Sequence, residues 1–148
     1  MRASLRTPAF LLLAPLACLA LVGETLEELK AKAAAATGGE QAILCARVAR
    51  EEVELANQHF TDGNVDQGHA AVRDAVAYAE KARDAARTSR KKIKQTEISI
   101  GKTARRLSDI GKTLAVDDRP AVEQAVKELE HIQDQLLEAM FGEGRKQP

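Results

Sequence analysis

Residues 64–115 read NVDQGHAAVRDAVAYAEKARDAARTSRKKIKQTEISIGKTARRLSDIGKTLA. Within this stretch Val65, Val72, Ala79, Ala86, Ile93, Ile100, Leu107 and Leu114 recur every seven residues. Gly68, Ala75, Ala82, Ser89, Thr96, Thr103 and Ile110 fill the intervening positions with mostly small or weakly polar side chains. An α-helix has about 3.6 residues per turn, so a strict seven-residue repeat keeps one seam toward a partner only when the helices supercoil. No proline interrupts the stretch, and a continuous helix over it would extend roughly 75 Å at the usual rise per residue. The seam carries little side-chain volume, so a helix packed on it must come close. The expectation is one long central helix over 64–115. A break near Ser89, where the seam is least apolar, would instead fold the same segments into a compact four-helix bundle.

Upstream, residues 24–36 are rich in Glu, Leu, Lys and Ala, strong helix formers, and Thr37, Gly38 and Gly39 break the run. A second helix is predicted over 40–60, with Ala42, Ala46, Ala49, Val53, Ala56 and Phe60 on one face and Leu44, Val48 and Leu55 widening it. Thr61, Asp62 and Gly63 stop that helix, because glycine readily takes the left-handed conformation of a helix end. Asn64 is expected to cap the central helix, with Gln67 returning a second hydrogen bond.

Downstream, Asp117 and Asp118 precede Pro120, which suits a first helical turn. The helix predicted over 119–141 carries Val122, Ala125, Val126, Leu129, Ile132, Leu136 and Met140 on one stripe. Gly142 ends it, and 142–148 form a polar tail expected to be flexible.

The fold class is therefore all-α: helical hairpins or a bundle built on the central helix, with antiparallel flanking helices. Folding back at Asp62 and Gly63 sets Ala42 near Asp84, and folding back at Val116 and Asp117 sets Met140 near Lys94. The second and last helices then tile the central one end to end. Between Arg83 and Arg106 lie nine Lys or Arg, and between Asp117 and Glu138 lie seven acids. Folding the last helix back would bring these acids beside the bases, a pairing that selects orientation more than it stabilises.

The N-terminal 23 residues have the layout of a secretory signal peptide. Arg2 and Arg6 form a basic start, and residues 9–22 run apolar without a charge. A membrane-spanning helix needs about 20 apolar residues, and Pro15 interrupts this shorter run, so no stable span is expected. Cleavage after Ala20 or Gly23 would leave one helical domain, 24–141, in the periplasm or extracellular space. The rival outcome is a lipid anchor through Cys18, opposed by Pro15 and by the apolar run that continues past the cysteine.

The whole chain has 22 basic and 22 acidic residues. Losing Arg2 and Arg6 leaves the mature part near neutrality, which gives no global attraction to nucleic acid or membrane. Aromatics make up 3 % of residues and tryptophan is absent, so alanine and branched aliphatics must build the core.

Residues Leu55, Ala56, Asn57, Phe60, Gly63, Gly68, Ala75 and Val76 have the spacing of one tetratricopeptide-type hairpin, and residues 55–76 resemble that motif. The resemblance implies two closely packed antiparallel helices, with the small residues at 56 and 68 at their contact. The peptide-binding groove of that family requires stacked units.

Three further features are candidates for function. His59 and His69 flank the first turn, with Asp62 and Asp66 nearby, and form the candidate metal pair; incidental histidines beside a solvated turn are the commoner case. His131 stands apart on the last helix. The cluster Arg87, Arg90, Lys91, Lys92 and Lys94 is a candidate interaction surface. It has no interleaved aromatic for base stacking, which argues against nucleic acid. Cys45 is an odd cysteine once Cys18 is removed; it is either a buried thiol or an intermolecular disulfide. No glycine-rich phosphate loop, metal-spaced cysteine pair or activated nucleophile stands in the sequence, so neither an enzyme nor a cofactor is expected. The reading is a noncatalytic interaction or scaffold protein that binds another protein or itself. The alternative is a ligand- or metal-binding envelope stress factor using the histidine turn or a gap between helices.

Overall fold

The computed structural model describes residues 23–142. The expected signal segment with Cys18 and the Ala20 cleavage point, and the tail beyond Gly142, lie outside the described residues. Within them the chain forms five helices and no strand: α1 (Leu26–Ala35), α2 (Gly38–Thr61), α3 (Val65–Ser89), α4 (Ile93–Thr113) and α5 (Arg119–Phe141).

The ends of these helices follow from local chemistry. Thr25 and Glu28 close a reciprocal capping box on α1, with both bonds at 3.2 Å. At the end of α2, Gly63 turns left-handed at φ +80°. Its N–H donates to Phe60 O and that of Asn64 to His59 O, pairing carbonyls that the helix would otherwise leave open. The expected side-chain cap by Asn64 does not form; this glycine turn sets the start of α3 instead. Arg119 reaches back from α5 to donate to Leu114 O at 2.8 Å and so covers the end of α4.

The long helix expected over 64–115 is not continuous. It stops at Ser89 and restarts at Ile93, and Arg90 and Lys92 between them are left-handed, with φ 55° and 62°. Such a backbone costs a non-glycine residue about 1–2 kcal/mol. Against this stand Ile100, Leu107, Leu129 and Leu136, all fully buried, each gaining about 1.5–3 kcal/mol on leaving water. Reversal lets the α2–α3 and α4–α5 hairpins close on each other, and that burial outweighs the strain.

The outcome is a four-helix bundle of α2 to α5 with α1 laid beside α2. Each of α2 and α5 packs on both α3 and α4, so α3 and α4 take opposite corners although they are consecutive in the chain. The bidentate pair of Arg106 with Glu54, at 2.7 and 2.9 Å, and the contact of Gly39 with Lys91 make α2 and α4 parallel neighbours. Arg83 bonded to Gln135 and His69 beside Asp118 do the same for α3 and α5. The two sequence-derived hairpin registers hold: Gly38 abuts Ser89, Gly68 abuts Phe60 and Gly101 abuts Gln133.

Core composition divides between the hairpins. The α2–α3 hairpin contributes mostly alanine (Ala42, Ala46, Ala49, Ala56, Ala75, Ala79, Ala82, Ala86), and α4–α5 contributes Ile100, Leu107, Ile110, Leu129, Ile132 and Leu136, all buried. Small side chains on one hairpin thus make room for large ones on the other, the condition for a close-packed interior. Thr96 and Thr103 are the buried hydroxyls of α4, and each donates to the carbonyl four residues earlier.

Charge placement includes contacts that the sequence did not indicate. The ion pairs between segments include Arg106–Glu54 (α4 to α2), Lys30–Glu52 (α1 to α2) and Arg47 of α2 with Glu24, which precedes α1. Arg106 turns to α2 because the bundle makes α2 its neighbour, a contact that end-to-end tiling of the flanking helices does not contain.

Candidate functional site

The turn between α3 and α4 forms one end of the bundle, where the sequence RKK occupies positions 90–92. Ser89 prepares it: its Oγ donates to Ala85 O at 2.7 Å and accepts from Lys91 N at 3.3 Å. α2 starts at the same end, and its glycines allow the close approach. A Cβ on Gly39 would stand 2.8 Å from Lys91 Cβ and 2.9 Å from Lys92 Cγ, so any larger residue would displace the turn.

Arg87, Arg90, Lys91, Lys92 and Lys94 are all exposed here. The first turn of α4 contains no acid, and Thr37 and Lys92 leave the starts of α2 and α4 without side-chain caps. Two parallel helices therefore direct the positive ends of their dipoles toward the cations. Phe141, at the last turn of α5, is 75 % exposed at this end. Between them lies a shallow hollow of about 380 Å³ lined by Arg87, Arg90, Ile93, Glu138 and Met140. The arrangement can attract an acidic surface over several ångströms and offer a ring for it to cover.

The histidines are differently placed. His69 meets Phe60 edge-on, with ring centroids 5.2 Å apart, and its Nε2 lies 4.0 Å from Asp118 Oδ1. Its Nδ1 is buried with no hydrogen-bond partner. His131 contacts Gln135 at 3.1 Å. Among the described residues no three or more His, Cys, Asp or Glu gather as a metal-binding group. His69 instead borders an open groove of about 660 Å³ between α3 and α5, with Asp66, Arg73, Gln124 and Glu128 on its rim and Val72 and Val76 in its floor.

Cys45 lies in the core of α2 at 2 % exposure, and burial pushes its thiol pKa up, with Lys81 opposing. Disulfide exchange with another chain would require this part of the core to open. Among the described residues no helix is long and apolar enough to cross a membrane.

Sequence reasoning missed one buried cluster. Glu52 is 1 % exposed, Lys30 Nζ of α1 lies 2.6 Å from its Oε1, and Tyr78 of α3 stands beside the ammonium. The contact is off the axis of a well-directed hydrogen bond, so Oε1 is paired by charge without an aligned donor. The signal was present in the sequence: Glu52 falls one heptad after Cys45, between Ala49 and Val53 on the apolar stripe.

No protein-family model, curated protein or solved structure matches this chain.

Proposed function

We propose that this is an exported, noncatalytic helical interaction protein, acting in the periplasm or extracellular space, whose basic end docks on an acidic face of another protein. The observation that carries the reading is the set of five exposed cations, Arg87, Arg90, Lys91, Lys92 and Lys94, held on a tight turn where two helices begin. Exposed Phe141 beside them supplies an apolar contact. Charge steering of this kind weakens with salt, because the screening length is only about 8 Å at physiological ionic strength. The test is a pull-down from an envelope fraction with the protein and with an Arg87→Glu, Lys91→Glu, Lys94→Glu variant that retains its helical circular dichroism. The variant should lose the acidic proteins that the parent captures. Equal capture by both would remove the basic end from the reading.

A second reading, a ligand- or metal-carrying envelope stress factor, is favoured by the α3–α5 groove and the unpartnered Nδ1 of His69. Equilibrium dialysis against divalent metals and a small-molecule panel, with His69→Ala as control, separates the two. Binding that the control abolishes supports the carrier, and absence of any binding removes it.

A further inference from the structure

The core positions of α3 and α4 obey one heptad frame although the chain reverses between them. Buried Val72, Ala79 and Ala86 continue as Ile100 and Leu107, and buried Gly68, Ala75 and Ala82 continue as Thr96, Thr103 and Ile110. Ala86 and Ile100 are fourteen residues apart, as are Ala82 and Thr96. A reversed chain has no need of this agreement, because a turn of any length can join two hairpins; by chance the frames would coincide about one time in seven. The reversal rests on Arg90 and Lys92 in the left-handed region, which glycine or asparagine would occupy at far less cost.

We propose that the turn at 90–92 is a hinge through which two copies of this chain exchange hairpins. In the exchanged dimer α3 and α4 of each copy join into one straight helix, and the α4–α5 hairpin of one copy closes on the α2–α3 hairpin of the other. Contacts between hairpins, such as Glu54 with Arg106 and Arg83 with Gln135, re-form between copies. Only the connector changes, and both left-handed residues relax into helix. A short strained connector and a second copy offering the same contacts are the conditions under which swapping occurs. The interface of this dimer is the bundle core and needs no acidic partner. Straightening the turn removes the start of α4 at which the cations gather, however, so exchange and the docking proposed above compete.

The protein is refolded from denaturant over a range of concentrations and fractionated with light scattering. A dimer should grow with concentration, keep the helical signal of the monomer, and scatter X-rays as an elongated particle whose central helices are roughly 75 Å long. In a Cys45→Ala background carrying Glu54→Cys and Arg106→Cys, a short bis-maleimide should join two chains in the dimer and one chain in the monomer. Arg90→Gly with Lys92→Gly should weaken the dimer by about tenfold or more, because glycine favours the left-handed turn and disfavours a straight helix. Gly39→Ala, which crowds the closed turn at Lys91, should strengthen it. Within-chain linkage in the dimer fraction would overturn the proposal. So would a dimer unaffected by the paired glycines, or a purely monomeric protein at every concentration.

Discussion

A carboxylate inside the bundle is held by one ammonium from the flanking helix: Glu52 is almost wholly buried, and Lys30 approaches it from α1. Removing one partner of such a pair leaves an uncompensated charge, which costs about 3–5 kcal/mol, whereas replacing both with apolar groups is often neutral. Lys30→Ala should therefore destabilise strongly, and Lys30→Met combined with Glu52→Leu should recover most of the loss, as read by urea unfolding. The pair also has a pH signature. Burial pulls the Lys30 pKa down, but the close approach of the Glu52 carboxylate and its negative charge more than reverse this, and the net direction is upward. A raised folded value means that the contribution is complete below the unfolded value of about 10.4 and is lost as pH rises through the folded one. Alkaline unfolding should therefore begin at higher pH in the Lys30→Met, Glu52→Leu variant than its neutral-pH stability implies, because that variant has no Lys30 contribution to lose. Arg106 and Glu54 form a better-directed bond, and the guanidinium lowers the Glu54 pKa. Both are part exposed, so solvent screening keeps that contribution under about 1 kcal/mol.

At the scale of helices, the contact of α2 with α3 is set by a glycine. A Cβ on Gly68 would stand 2.5 Å from Phe60 Cε1 and 2.6 Å from Cδ1. Alanine in a helix interior ordinarily gains about 1 kcal/mol over glycine, but here the ring must move away from both Gly68 and His69. Gly68→Ala should destabilise by about 1–2 kcal/mol, as overpacked sites do. Adding Phe60→Leu should return part of it, with both changes measured by thermal melting. Helix existence was legible throughout, because alanine and aliphatic positions step at helical spacing and Gly38, Gly63 and Pro120 mark the restarts. The break after Ser89 was legible only as the alternative to a continuous helix, from the weakly apolar seam there. RKK contains no glycine, proline or asparagine, and it inherits the frame on both sides; what opens it is burial between segments far apart in sequence. The basic cluster was legible as composition, but its gathering with the starts of α2 and α4 follows only from the reversal.

At the scale of the molecule, alanine on one hairpin and leucine or isoleucine on the other make each hairpin incomplete alone. Ending the chain after Ala115 removes α5 and uncovers Ile100, Leu107 and Ile110. That truncation should aggregate and lose its cooperative melt, which light scattering and circular dichroism would register. A soluble, fully helical monomer would contradict the assignment of α5 as the cover of α4. α5 packs on α4 in the antiparallel register expected from the sequence, and the bundle adds a charged contact that the sequence did not indicate, Arg106 with Glu54 of α2. Opposite charges mark which segments attract, yet the choice among neighbours belongs to the bundle, and in the bundle α4 borders α2 as well as α5.

Tyr78 is the single tyrosine of a chain with no tryptophan. Its ring lies near two ammonium groups, that of Lys30, 5.9 Å from the centroid, and that of Lys81, 4.4 Å away. Lys30 arrives only with α1, so lifting that helix strips one cation from the phenol and admits solvent. The protein thus carries its own fluorophore at the seat of its shortest helix, and ultraviolet emission can follow undocking there without a label.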